Sequence, residues 1–162
     1  MHKFLSVLFL VLFLVACSDA KVFNQYKTIA DAQWHKDSII NFKFSPEDTL
    51  SRKSLYINLR TNKDYEFSNL FLIVGIKFPN STNIIDTLEY EMTDAQGNFL
   101  GTGFTDLKEN KLEYKTDVIF PLTGEYHINV QQAMRKSGDI EGITSLKGIT
   151  DVGVSIEKQT NE

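Results

Sequence analysis

The chain has 162 residues, of which 42% are hydrophobic and 23% charged, and its formal net charge is −4 at pH 7. This length fits one domain, and an acidic chain without a basic stripe argues against binding to nucleic acid and against adhesion to anionic headgroups. A single cysteine leaves no partner for an intramolecular disulfide and no set of thiolates for a metal site.

The N-terminal segment has the pattern of a bacterial lipoprotein signal. Met1-His2-Lys3 is a short basic start, and the apolar run at residues 4–16 is shorter than the roughly 20 residues that a membrane-spanning helix needs. Leu14-Val15-Ala16-Cys17 then has the form of a lipobox, in which the chain is cut before the cysteine and its sulfur receives a diacylglycerol. We therefore predict a signal peptide at residues 1–16 and lipid attachment at Cys17. The alternative is that the run forms a buried N-terminal helix or strand.

The segment that follows the predicted anchor is expected to be a lipidated tether. Residues 17–33 are mostly polar or small, and a short helical turn is expected around residues 28–33. Trp34, the only tryptophan, opens a domain predicted to extend to residue 158, and residues 159–162 form a polar tail. Cleavage would leave 146 residues and, since Lys3 is the only charged side chain removed, a formal net charge of −5.

Alternation of apolar and polar residues predicts strands along the first half of this domain. Ile40–Phe44 alternates, and the segment around Leu55, Ile57 and Leu59 does the same. The next segment, Leu70–Phe78, is apolar almost throughout. Such a run predicts a central strand that is covered on both faces.

The second half of the domain carries the same signal, with turns between the strands. A strand is predicted at residues 88–92, a hairpin turn at 94–98, and a return strand at 99–104, in which Gly101 and Gly103 indicate a bulge or close backbone approach. Further strands are predicted around residues 112–120, 126–131 and 152–156. Seven or eight short strands without a strong helical period predict an all-β domain, and we expect an antiparallel β-sandwich, Ig-like or jelly-roll-like.

Residues that could perform catalysis or bind a metal are not brought together by any motif. His35 and His127 are not spaced as ligands, and Glu89 and Glu91 share a strand face as any solvated strand would show. Oxygens of the turn at residues 94–98 could approach Ca²⁺, but the turn lacks the bidentate glutamate of a 12-residue calcium loop. We therefore predict no catalytic residues, no metal, no cofactor and no enzymatic activity.

Several aromatic residues leave open a second class of function. If they shared one exposed sheet face they could stack on sugars, which would make the chain a surface glycan-binding β-sandwich lipoprotein. The alternative is that they are ordinary core and edge residues, because aromatic residues favour strands. The residues concerned are Tyr56, Tyr65, Phe67, Phe71 and Tyr114.

A long predicted connection, residues 132–149, is the candidate surface for a partner protein, because long loops on a rigid scaffold tend to carry function. Its candidate contact residues are Met134, an adaptable apolar side chain, and Arg135, whose planar guanidinium suits interfaces. The alternative is that Met134 plugs the end of the sandwich and Arg135 pairs with a nearby carboxylate such as Asp139.

Further short segments follow one another in order along nearly the whole predicted mature chain. They are the lipobox, the tryptophan that opens the domain, and residues 68–71, 94–103, 120–126, 132–135 and 148–154. Together, in this order and spacing, they resemble the GldH family of gliding-motility lipoproteins.

The resemblance implies a non-enzymatic lipoprotein in the cell envelope of Bacteroidota-type bacteria, with Cys17 as the lipid site. It implies an accessory or scaffold component of the gliding-motility machinery, linked to type IX secretion. The expected partners are the membrane, through the anchor, and other envelope lipoproteins or motility and secretion proteins. The expected location is the periplasmic face of the inner or outer membrane, or the cell surface. Members also occur in species that do not glide.

Overall fold

The computed structural model describes residues 21–103, 105–136 and 138–159, and within them the chain is all-β. One 3₁₀ turn, Ala30–Ala32, accompanies ten strands, and no helix in the described part is long and apolar enough to cross a membrane. The strands are β1 Lys21–Thr28, β2 Gln33–His35, β3 Ile40–Phe44, β4 Lys53–Thr61, β5 Asn69–Lys77, β6 Asn83–Glu91, β7 Lys108–Val118, β8 Tyr126–Gln132, β9 Ser145–Lys147 and β10 Ile149–Lys158.

The strands form two four-stranded sheets and one short ribbon, and every pairing is antiparallel. Sheet A has the order β1-β10-β4-β7, sheet C has the order β3-β8-β5-β6, and β2 pairs with β9 in the ribbon. The inner faces of the two sheets supply one continuous hydrophobic core. This arrangement confirms the predicted antiparallel sandwich, with ten strands in place of seven or eight.

The core follows the predicted alternation, because successive side chains of a strand point to opposite faces of its sheet. Leu55, Ile57 and Leu59 of β4 are fully buried. Trp34 is also fully buried, and its Nε1 donates a hydrogen bond to the carbonyl oxygen of Ser38 at 2.8 Å. The indole therefore has the polar partner that a buried tryptophan requires.

The first part of the folded domain lies in the segment that was predicted to be tether, and this prediction is wrong from Lys21 onward. β1 pairs with β10 along its length, from Lys21 opposite Glu157 to Thr28 opposite Asp151. As the edge strand of sheet A, β1 has only two partly buried side chains, so it shows little of the apolar alternation that marks a strand. The predicted helical turn corresponds to the 3₁₀ turn. The predicted signal peptide, Cys17 and residues 160–162 lie outside the described residues.

β5 is central in sheet C, as predicted, but it is not covered on both faces. Alternate residues from Leu70 to Ile76 are buried in the core, whereas Phe71, Ile73 and Gly75 are half-buried on the outer face. No second layer of the described chain covers that outer face. The continuous apolar run therefore gives the molecule an apolar strip on its outer surface.

The predicted hairpin turn at residues 94–98 is present and is organised by Asp94. Its carboxylate accepts hydrogen bonds from the backbone amides of Gln96, at 2.9 Å, and Asn98, at 2.8 Å, while Gly97 takes a φ of +85°. The predicted return strand is absent from the described part of residues 99–104, where only isolated bridges occur. Close backbone approach is found instead, because a Cβ on Gly103 would lie 2.2 Å from the carbonyl oxygen of Leu107.

The two ends of the sandwich differ in which connections they carry. The tether end carries the start of β1, the end of β10 and the connections 45–52, 78–82 and 119–125. The distal end carries the ribbon and the connections 62–68, 92–107 and 133–144. Since the long strands have about nine residues at 3.3 Å each, the two ends lie roughly 30 Å apart.

Candidate partner-binding surface

Met134, one of the two predicted partner contacts, is part of the core. Its side chain is 1% exposed, and its sulfur accepts a hydrogen bond from the backbone amide of Phe71 at 3.2 Å. Its own backbone amide donates to Oε1 of Gln132 at 2.9 Å, and its carbonyl accepts from Ile143 at 2.7 Å. A side chain that is buried and hydrogen-bonded in this way cannot contact a partner protein, so Met134 is removed from the candidate surface.

Arg135, the other predicted contact, is exposed at the distal end. Its backbone forms an isolated antiparallel bridge with Gly142, which brings the two halves of the connection 133–144 together. The alternative for Arg135, an ion pair with a nearby carboxylate such as Asp139, is not formed, since within the described chain no carboxylate oxygen lies within 4.0 Å of this guanidinium. The connection, predicted at residues 132–149, is limited to 133–144 because β9 occupies its last part. The connection 92–107 is longer than this one.

Arg135 stands at one end of a groove on the outer face of sheet C, which we call the sheet C groove. The groove consists of two adjoining hollows of about 270 and 250 Å³ that share Ile73 and Gln131. The larger hollow lies over Gly75 and is flanked by Ile39 and Ile85. The smaller hollow is lined at its rim by Lys36, Asp37, Arg135 and Gly142.

The floor of the sheet C groove is set by small and amide side chains. Gly75 leaves the depression open, since it sits opposite Ile85 on one side and Asn129 on the other. The Asn41 amide donates to Oδ1 of Asn129, and Nε2 of Gln131 donates to the carbonyl oxygen of Lys36 at 2.6 Å. These hydrogen bonds fix the amides in place, so the groove is already formed in the free protein.

The rim of the groove combines apolar and basic side chains. Ile85 is 71% exposed and Ile39 is also exposed, while Lys77 and Arg135 carry positive charge near opposite ends. Such a surface can take up an apolar side chain of a partner and attract acidic residues around it.

The titratable residues weighed in the sequence are kept apart by the fold. His35 lies at the distal end, with Nδ1 3.6 Å from a carboxylate oxygen of Asp37, whereas His127 lies toward the tether end, 3.0 Å from Glu125. A hydrogen bond from Lys43 lowers the pKa of Glu125, which is therefore an ion-paired surface carboxylate. The described residues contain no group of three His, Cys, Asp or Glu that could hold a metal ion.

The aromatic residues that could have formed a sugar-binding platform lie on different faces. Tyr65 is buried, and Tyr114 lies at the seam between the two sheets. Tyr56 is on the outer face of sheet A, beneath the ammonium of Lys111 at 4.0 Å, and Phe71 is on the outer face of sheet C. With no shared plane for these rings, the geometry does not favour the glycan-binding alternative.

The residues that shape the sheet C groove were not identified from the sequence. One signal was present in β6, where Ile84 and Ile85 are adjacent and cannot both face the core of a strand with period two. The importance of Gly75 depends on the register of β5 against β6 and β8, which no local pattern contains.

The chain is similar to known bacterial lipoproteins over nearly its whole length. The family model described as GldH lipoprotein matches residues 21–156. A gliding motility lipoprotein GldH homolog from Christiangramia forsetii is 49% identical over 154 residues, covering 95% of this chain and 94% of the relative. The gliding motility lipoprotein GldH of Flavobacterium johnsoniae is 45% identical over 153 residues, covering 94% of each.

Among solved structures, the chain is similar to proteins of infectious bursal disease virus. The infectious bursal disease virus VP2 subviral particle matches with a TM-score of 0.35 and 18% identity over 85% of this chain and 34% of the viral chain. The structure of the Gt strain of the same virus matches with a TM-score of 0.39 and 14% identity, over 86% of this chain and 34% of the viral chain. This chain thus spans about a third of the length of the viral chains, and such low scores carry no argument about function.

Proposed function

The chain belongs to the GldH lipoprotein family, and we propose that it serves the gliding-motility machinery as a scaffold lipoprotein linked to type IX secretion. The observation that supports this role is the identity of 45–49%, over nearly the full length, to relatives that are named gliding motility lipoproteins. Those names describe lipoproteins and not enzymes, which agrees with the separated titratable residues of this fold.

A scaffold must hold another protein, and the sheet C groove is the surface that we assign to this task. It is preformed and apolar at its centre, with Lys77 near one end and with Lys36 and Arg135 beside a single carboxylate, Asp37, at the distal end. The partner that this chemistry fits is another envelope lipoprotein, or a motility or secretion protein, that presents an apolar side chain among acidic residues.

We place the chain in the cell envelope with its lipid in the inner or outer membrane and its domain in the periplasm or at the cell surface. Lipid attachment at Cys17 supplies two acyl chains, which anchor stably where one chain binds only marginally. Protease treatment of intact and of permeabilised cells distinguishes a surface domain, which is cut in both, from a periplasmic one.

Affinity capture from detergent-solubilised envelopes, with the lipid anchor intact, tests the scaffold role through two variants. Arg135→Ala removes a basic contact and is expected to weaken association with the captured partner by about 1–2 kcal/mol, with folding unchanged. Gly75→Val narrows the groove; its Cβ would be in ordinary contact, 3.7 Å from the nearest atom, and a thermal melt verifies that the whole side chain is accommodated.

The control is Lys63→Ala, which removes an exposed distal-end charge outside the groove. If both groove variants capture the partner as well as the control does, the partner surface lies elsewhere. A lower melting temperature for Arg135→Ala with unchanged capture would show that the arginine has a structural role.

A further inference from the structure

The start of β1 fixes which end of the domain is close to the predicted lipid anchor. Four residue steps separate Cys17 from Lys21, and a chain spans at most about 3.6 Å per residue, so the two lie within roughly 14 Å whatever the conformation between them. The distal end is about 30 Å farther along the strands. An anchor at Cys17 therefore holds the tether end close to the membrane surface.

The tether end carries the side chains that a membrane interface favours. Leu50, on the connection 45–52, is 85% exposed, and Val22 and Ile119 are exposed at the same end. Lys21 and Lys158 are exposed at the same end, where they line a cleft of about 410 Å³ together with Val22. Lysine ammonium groups can contact lipid phosphates while their alkyl stems rest on apolar surface.

The same end also carries carboxylates, which limit its net positive charge. Glu47 and Asp48 line the cleft, and Asp48 lies 3.7 Å from Nζ of Lys53. Asp117 and Glu125 form ion pairs, with Arg52 and with Lys43 respectively. The attraction to a membrane therefore does not come from bulk charge, in keeping with the acidic chain. It comes from the short link to the anchor and from the apolar residues that this link holds at the surface.

Leu50 is presented by a connection that is rigidly built. Nζ of Lys53, a lysine that is 1% exposed, donates hydrogen bonds to the carbonyl oxygens of Asp48, at 2.8 Å, and Ser51, at 3.0 Å. The Asp48 carboxylate in turn accepts from the backbone amides of Leu50, at 2.9 Å, and Ser51, at 3.1 Å. A single exposed leucine is ordinary on a protein surface, but this one is fixed outward at the end nearest the anchor.

We propose that the tether end rests directly on phospholipid headgroups, with Leu50 inserted among them and with Lys21 and Lys158 in contact with lipid phosphates. This inference rests on the lipid attachment contained in the proposed function. It orients the sandwich with its strands upright on the membrane and its distal end facing away from the bilayer. Arg135 and the upper end of the sheet C groove are then held clear of the lipid, where a partner can reach them.

The test uses the full lipidated chain, reconstituted in vesicles of phosphatidylethanolamine and phosphatidylglycerol. Three single variants, Leu50→Cys, Ile85→Cys and Ile140→Cys, carry an environment-sensitive fluorophore on the new thiol, because the sulfur of Cys17 is blocked by lipid. Leu50 marks the tether end, Ile85 the side of sheet C, and Ile140, which is 90% exposed, the distal end. All three side chains are exposed, and thermal melts verify that each variant folds as the unsubstituted protein does.

We expect spin-labelled lipids to quench the probe at position 50 several-fold more than the probe at position 140, with position 85 between them. Equal quenching at positions 50 and 140, stronger quenching at 140, or none at any position overturns the orientation. Intact mass and vesicle flotation separate this failure from that of the lipoprotein assignment. A chain that lacks the diacylglycerol and does not float contradicts both, whereas a lipidated chain that floats with unquenched probes contradicts only this inference.

Discussion

A single residue, Asp86, links the two sheets at the seam between the edge strands β6 and β7. It belongs to β6, and its carboxylate accepts a hydrogen bond from the hydroxyl of Tyr114 on β7 at 2.7 Å and lies 2.8 Å from Nζ of Lys115. Tyr90 adds a second link, because its hydroxyl donates to the carbonyl oxygen of Glu113 at 2.8 Å. The edge strands of the two sheets are thus joined by side chains and not by a backbone ladder.

These contacts make the seam sensitive to acid. The hydrogen bonds from Lys115 and Tyr114 lower the pKa of Asp86 below its usual 3.8. A carboxylate whose pKa is lowered on folding stabilises the fold at neutral pH, and this contribution is lost as the pH falls through the folded-state pKa. We expect Asp86→Asn to have a lower urea midpoint than the unsubstituted protein at neutral pH, and we expect that gap to shrink in acid.

Asp106→Asn, which removes an exposed carboxylate, serves as the control and should shift the midpoint little at either pH. A gap for Asp86→Asn that is the same in acid and at neutral pH would show that the ionised carboxylate does not stabilise the seam.

At the scale of an element, β1 is bound to its sheet by one close contact in particular. The ring of Tyr26 lies across Gly153 of β10, where a Cβ would come within 2.7 Å of it. That ring cannot move freely, since its hydroxyl donates to Glu109 at 2.7 Å and the Arg60 guanidinium stacks on it at 4.5 Å. Burial, followed by the hydrogen bond to Glu109, raises the pKa of Tyr26 to about 12.

Gly153→Ala should therefore lower the free energy of unfolding by about 1–3 kcal/mol, because the added methyl group overpacks the contact with Tyr26. In the Tyr26→Ala background the same substitution should cost clearly less, and a double-mutant cycle of urea unfolding measures the difference. If residues 21–28 were a tether, Gly153→Ala would have the same effect in both backgrounds.

The strands that the sequence predicts well are those in which apolar and polar residues alternate, because this alternation matches the buried and exposed faces of the strand. β3 was predicted with its observed bounds, and β4, β8 and β10 were located by their buried residues, such as Tyr126, Ile128 and Val130. β2 and β9 have three residues each, which is too few for a periodic pattern. β1 is an edge strand with few buried side chains, so few of its positions need to be apolar. Their positions depend on pairing with distant segments, which local patterns do not contain.

The candidate surface was predicted only in part, for a similar reason. Arg135 was predicted as a contact from the character of its connection and is exposed, but the burial of Met134 and the groove over Gly75 follow from contacts between separate strands. The register of β5 against β6 brings Ile85 beside that glycine.

At the scale of the whole molecule, the lipid decides where the domain works. Cys17→Ala removes the only thiol of the chain, so the variant should remain unprocessed or become soluble. Palmitate labelling and carbonate washing of membranes measure this outcome, with the unsubstituted chain expressed in parallel. A variant that still labels with palmitate and stays with washed membranes would contradict the lipobox assignment.

The pairing of β1 with β10 has a consequence for the order in which this protein can be made. The first strand of the domain can complete its sheet only when the last one arrives, since Lys21 lies opposite Glu157. β10 also lies between β1 and β4, so sheet A stays divided until the C-terminal segment is present. During export that starts from the N-terminus, Cys17 would therefore cross and become available for lipid attachment before the sandwich can close.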